Sequence, residues 1–370
     1  MAEPRRDPRD VGLEDRPARD LVDWDLAVST ARRVAGPGPA VPPVEVAATV
    51  ERLRTAAATA QGHVQELTGL VAPAHEGPVA VVDRGGWARA NADAMASLLD
   101  PVARRIQRPR TGGPGLVDRV GPAVAGVEAG AMLGFLAGKV LGQYDPFAPP
   151  VGGATLPGRL LLVAPNILEV GRRIGVHDGE FALWVCLHEE THRVQFTAVP
   201  WMRDHMADEL AAFLAATPLD LGDLLNRLLA IGRGAAEAVR GTDGPSLVEL
   251  VQTPEQRIVL DRLSAVMALL EGHADVIMDD VGPTVLPSVR KIRARFQQRR
   301  DGAVGLSRVL RRLLGFESKL RQYRDGAAFV RGVEALVGRD GFGAVWSAPD
   351  ALPSPDEIAA PAQWVARVHG

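Results

Sequence analysis

The chain has 370 residues, 46% of them hydrophobic and 24% charged, a balance that supports one large or two ordinary packed domains and excludes a fibrous or unfolded chain. Lys and Arg number 42 against 45 Asp and Glu, for a formal net charge of −3, and without a long basic run nothing suits a nucleic-acid partner. Cys186 is the single cysteine, so no intrachain disulfide can form, and the polar opening Met1–Asp10 lacks the apolar core of a secretory signal; a cytoplasmic location is expected.

Residues 1–20 read as a polar, disordered lead-in. Apolar residues at helical spacing predict helices over Leu21–Arg33 and Val44–Leu70, divided by Gly36-Pro37-Gly38-Pro39 and Pro42-Pro43, which cannot continue a helix. Val79–Val82 is a short apolar segment, Trp87–Ala92 opens a helix reaching about Arg105, and Arg108–Gly115 is a loop; residues 21–115 thus form an N-terminal helical region. Val120–Leu141 carries Gly126, Gly130, Gly134 and Gly138 at a spacing of four, which lets helices pack closely. Glu128 and Lys139 interrupt its apolar run, so it reads as a buried helix of a soluble protein and no membrane partner is expected.

Arg159–Asn166 holds five apolar residues between turn signals, which predicts a buried strand over Leu160–Ala164 stopped by Pro165-Asn166 and bordering the functional site. A helix follows over Glu180–Phe196, with Asp178-Gly179 as its N-terminal cap. A long helix over Pro254–Asp280 ends at Pro283 and Pro287, and further helices run through Ser288–Arg300, Leu306–Phe316 and Ala327–Val337. Ser347–Pro361 is proline-rich and reads as loose, within a C-terminal tail of residues 347–370. No repeat of fixed period is present. The expected class is mainly α with a small β element.

Chemistry concentrates in His188-Glu189-Glu190-Thr191-His192. Two histidines four apart on a helix project from one face and can bind one ion, and the intervening Glu189 is placed to take a proton from an attacking water. The pattern is that of zinc metallopeptidases, and Phe181, Trp184 and Val185 share the ligand side and supply a dry shell. Cys186 points to another face as a small buried residue, and Trp184 and Trp201 read as core.

A tetrahedral catalytic site requires a third protein ligand. The metzincin pattern is excluded, since Gln195 and Ala198 stand where it requires glycine and histidine. Glu271, His273, His205, Asp208 and Glu209 are the available donors. Glu271 and Asp275, four apart, resemble the Glu-x-x-x-Asp element of the gluzincin metallopeptidases. That resemblance implies Glu271 as third zinc ligand and Asp275 as the residue that orients His188. It also implies a zincin-like region over residues 116–346, with a helical insertion at about 197–256 because the gap from His192 to Glu271 is long. With Gly142–Phe147, Val163–Ile167 and Arg321–Gly326, the chain is similar to an actinobacterial zincin-like family often labelled as associated with biosynthesis of the deazaflavin redox coenzyme. Tyr323 and His273 are the candidates for stabilising an oxyanion.

The expected function is zinc-dependent hydrolysis of a peptide or amide, with substrate extended along the Leu160–Ala164 edge. A non-catalytic zinc-binding scaffold or regulator and a small-metabolite amide hydrolase are the alternatives. An intact Glu189 argues against the scaffold, where that carboxylate has no use.

Overall fold

A computed structural model describes residues 21–72, 79–106, 116–149, 157–216, 253–301 and 316–370. The first half builds α1 (Trp24–Ala35), α2 (Pro43–Thr68), β1 (Val79–Val82), α3 (Arg84–Ile106), α4 (Leu116–Ala137), β2 (Gly142–Asp145), β3 (Arg159–Val163) and α5 (Ala164–Ile174). The second half adds α6 (Asp178–Thr197), α7 (Pro200–Ala215), α8 (Pro254–Asp280), the single turn α9 (Gly282–Val285), α10 (Val289–Asp301), α11 (Phe316–Phe342), α12 (Pro355–Ala359) and α13 (Pro361–His369). The class is mainly α with a small sheet, as the sequence suggests.

The sheet has the order β1-β3-β2, with β1 parallel and β2 antiparallel to β3. Leu161 and Val163 turn toward a core shared by α1, α3 and α4, while Leu162 turns toward the core of α2, α5 and α6. A strand covered on both faces needs an unbroken apolar run, which Leu160-Leu161-Leu162-Val163 supplies. Because β3 is central, both its edges are taken. The expected substrate edge at Leu160–Ala164 is therefore corrected: β2 is the edge strand on the side of α6. The sheet also joins the N-terminal helical region to the region after residue 116, so the two are not separately packed.

Pro165 does stop the strand, but it also starts α5, where a proline in the first turn forfeits no hydrogen bond. Asn166 then ties three elements together. Its Nδ2 donates to the carbonyls of Ala137 and Val140 at 2.7 and 2.6 Å, and its Oδ1 accepts from Arg84 Nε at 2.7 Å.

Of the four glycines at that spacing, the three inside α4 allow the expected close helix packing, and their partner is α1 with its cap residue Asp23. A Cβ at Gly126, Gly130 or Gly134 would lie 2.5, 2.4 or 2.7 Å from the carbonyl oxygens of Asp23, Ala27 and Ala31, whereas Gly138 faces only its own helix. The opposite face leaves Val124, Val127 and Phe135 half exposed. By length and composition Val120–Ala137 is long and apolar enough to cross a membrane.

The C-terminal segment departs from the loose tail expected of it. Pro349, Pro355 and Pro361 each begin a helical turn and break none. Ser354 and Glu357 form a reciprocal cap, Trp364 is fully buried with Nε1 donating to Ala351 O at 2.7 Å, and Arg367 binds both oxygens of Glu357 at 2.6 and 2.9 Å. Trp364 packs in one cluster with Ala268 and Leu269 of α8 and with Phe329 and Val330 of α11. The helix expected over Leu306–Phe316 lies outside the described residues except for its last position, as does most of the 197–256 insertion beyond α7.

Candidate metal centre

Helix α6 begins at Asp178, two residues before the expected Glu180, so Asp178-Gly179 is its first turn and not its cap. His177 is the N-cap, its Nδ1 accepting from Gly179 N at 3.2 Å. Thirteen of the helix's residues are buried, so it runs through the interior and has polar groups to satisfy there. Phe181, Trp184 and Val185 pack into the core with α2 and α5, and Cys186 sits fully buried with its Sγ 3.8 Å from Leu53 O. Burial, and then the charges of Glu190 and Glu189, push its thiol well above the ordinary range, so it is an inert core group. Glu190 turns to a different face and forms a buried pair with Arg193 at 2.6 Å.

His188 and His192 face each other across one helical turn with their Nε2 atoms 3.3 Å apart. Helix α8 crosses α6 and brings Glu271 to them, its Oε2 3.6 Å from His188 Nε2 and its Oε1 3.7 Å from His192 Nε2. A Gly-on-Gly contact holds α11 close against α8 beside this crossing: a Cβ at Gly272 would lie 2.1 Å from the backbone of Gly326, and one at Gly326 would lie 1.9 Å from Ala268 O. Helix α11 thus presses on α8 at the residue next to Glu271. The three side chains are 25%, 13% and 29% exposed, which leaves one side of the cluster open to solvent. Among the described residues, these three form the group whose ligand atoms all lie within 4.8 Å of one another.

The group fits zinc. Bonds of ~2.0–2.1 Å to a tetrahedral ion place donor atoms ~3.3–3.4 Å apart, so movements of a few tenths of an ångström bring the observed edges to that value. Two imidazoles and one carboxylate with an open side are also the donor set of catalytic rather than structural zinc.

Glu189 lies beside this cluster, 6% exposed. The backbone N–H of Tyr144 in β2 donates to its carboxylate. Gly142 makes the approach possible, since a Cβ there would fall 2.6 Å from Glu189 Cγ. Burial, followed by the charges of Glu271 and Glu190, raises the Glu189 pKa well above the usual carboxylate range. The Tyr144 ring stacks at a tilt on Phe196, one turn beyond His192, with centroids 5.8 Å apart.

The other sequence candidates fall in different places. His273 is buried and meets Gln195 through Nδ1 at 3.0 Å, with its ring against Phe342 and Trp346. Burial, then Arg339 and His192, lowers its pKa to about 3, so it is neutral. Asp275 stands one turn past Glu271 with Oδ2 3.8 Å from Arg293. His205 packs on Trp201, Glu209 is held by Arg262 at 2.8–3.1 Å, and Asp208 lies between them on α7. Tyr323 belongs to α11, at a position whose side chain lies outside the described residues.

Sequence reasoning passed over Gln195 and Tyr144. Gln195 counted only as a departure from the metzincin pattern, although its spacing of three from His192 puts it on the same helix face. It is fully buried and accepts from His192 Nδ1 at 2.9 Å. Tyr144 acts through its backbone, for which side-chain identity gives no signal.

The model of the zincin-like metallopeptidase family matches residues 22–365. A protein from Chloroflexus aurantiacus, whose crystal structure was described as that of a provisionally assigned hydrolase with a novel fold, is 30% identical over 94% of this chain and 99% of its own, with a TM-score of 0.66. No curated protein matches. The match spans both the motif helix and the helix that delivers Glu271, and the chain belongs to the zincin-like metallopeptidase family.

Proposed function

We propose that the protein is a zinc-dependent hydrolase that cleaves a peptide or amide bond. The observation that carries this reading is the convergence of His188, His192 and Glu271 next to a buried Glu189. Family membership and the hydrolase assignment of the Chloroflexus protein support hydrolysis. A zinc ion held by the three residues supplies Lewis acidity toward a carbonyl and acidifies water. Glu189 accepts the proton of the attacking water and returns it to the leaving amine. Asp275 is assigned the part toward His188 that the gluzincin resemblance implies, and Tyr323 and His273 remain the candidates for the oxyanion.

A peptide is favoured as substrate because β2 is an edge strand whose Tyr144 N–H already faces Glu189. An extended chain pairing with that strand would pass its carbonyls beside the base and the metal ligands. Association with deazaflavin-coenzyme biosynthesis is a narrower proposal, resting on the likeness of segments that form β2 and the β3–α5 junction.

The test is zinc content and hydrolysis of the native chain beside Glu189→Gln, against peptide and amide libraries. The expected result is about one zinc per chain in both and activity in the native chain alone. A native chain with no zinc and no activity overturns the proposal.

A further inference from the structure

We infer that Gln195 is a positioning residue that fixes the tautomer of His192, and that the Leu270 carbonyl dictates how it does so. A backbone carbonyl can only accept a hydrogen bond. Gln195 Nε2 lies 3.0 Å from Leu270 O, so the amide nitrogen must sit on that side. The amide oxygen then faces His192 Nδ1 at 2.9 Å. Since an amide oxygen only accepts, His192 carries its proton on Nδ1 and presents a lone pair on Nε2, the atom that faces His188 and Glu271.

The second hydrogen of the same amide points to His273 Nδ1 at 3.0 Å. That nitrogen must accept, which places the proton of His273 on Nε2. Both hydrogens and the oxygen of a fully buried amide are thereby satisfied within the protein. One backbone carbonyl orders three side chains, and it belongs to the residue immediately before Glu271. The segment that delivers the carboxylate ligand also sets the proton of the imidazole ligand, so a shift of α8 disturbs both together.

The positioning role rests on the reading of His192 as a metal ligand, but the tautomers themselves are tested with neither metal nor substrate. Two-bond proton–nitrogen correlation spectra of the full-length, chelator-treated chain labelled with 15N-histidine should show His192 protonated at Nδ1 and His273 at Nε2. Gln195→Glu keeps an acceptor for His192 and removes the donor to His273, so His192 should stay as it is and His273 should move its proton to Nδ1. Gln195→Leu should mix the His192 tautomers and weaken zinc binding about 10–100-fold in chelator competition. A native His192 with its proton on Nε2, an unchanged His273 in Gln195→Glu, or zinc affinity within twofold of native in Gln195→Leu would each overturn the assignment. A native chain with the stated tautomers that binds no zinc instead overturns the hydrolase reading and leaves the amide assignment standing.

Discussion

Helices α1 and α4 meet through glycines and apolar side chains, whereas α6 meets α8 at the candidate site through buried polar groups. In the first contact Gly126, Gly130 and Gly134 lie against carbonyls of α1, and only proximity is achieved. In the second, Gln195 of α6 and His273 of α8 are both buried, and each requires partners that an apolar surface cannot offer. The same glycine device returns at Gly272 and Gly326, but there it presses α11 onto α8 beside a ligand. Close packing at one place holds the fold, and at the other it aims a carboxylate.

The largest effect should come from removing that carboxylate. Glu271→Ala leaves two imidazoles, and zinc affinity measured by chelator competition should fall more than about 100-fold, beyond what a supporting residue contributes; an unchanged affinity would hand the third position to another donor. Next in size is Gly142→Ala, which displaces Glu189 without touching a ligand. Zinc content should hold while kcat falls about 100-fold, the scale of a 1 Å misplacement at a reacting centre.

Two matched substitutions then compare the two contacts directly. Gly130→Ala and Gly272→Ala each force helices apart and should each cost about 1–3 kcal/mol in denaturant unfolding. Only Gly272→Ala should also weaken zinc binding. Equal zinc affinity in both would show that the α8–α11 contact has no part in placing Glu271.

The smallest effect concerns the C-terminal segment behind α8. The Arg367 hydrogen bonds hold the Glu357 carboxyl below its ordinary value of 4.5, against the opposing influence of burial. A carboxyl lowered on folding stabilises the protein fully above 4.5, and that contribution disappears as pH falls through the lowered folded value. Glu357→Gln in the chelator-treated chain should therefore cost about 0.5–1 kcal/mol at neutral pH and nothing once the native carboxyl is protonated. A deficit that persists at the acid end would point to lost capping of α12 instead.

The elements that sequence made legible are those with an uninterrupted period. Helices α1, α2, α6 and α8 and strand β3 announce themselves through apolar spacing, and the two histidines through a spacing of four. Strand β2 was hidden because Gly142-Gln143-Tyr144-Asp145 is a half-buried edge with one apolar side chain and no alternation to read. Helix α5 and the C-terminal turns were hidden by their prolines, which mark a break and a first turn with the same letter. In the candidate site, Glu271 depended on a family likeness, since nothing in spacing says which distant helix will cross α6. Gln195 escaped because its role needs an acceptor on α8, and that acceptor is backbone.

The strand that steadies Glu189 is, under the proposed function, also the strand an incoming chain would pair with. Pulling on one therefore pulls on the other. Under the proposed function, a ligand that seats slightly out of register would detune the group that cuts it, so selectivity should show in turnover more than in binding, with close mimics held well and processed poorly.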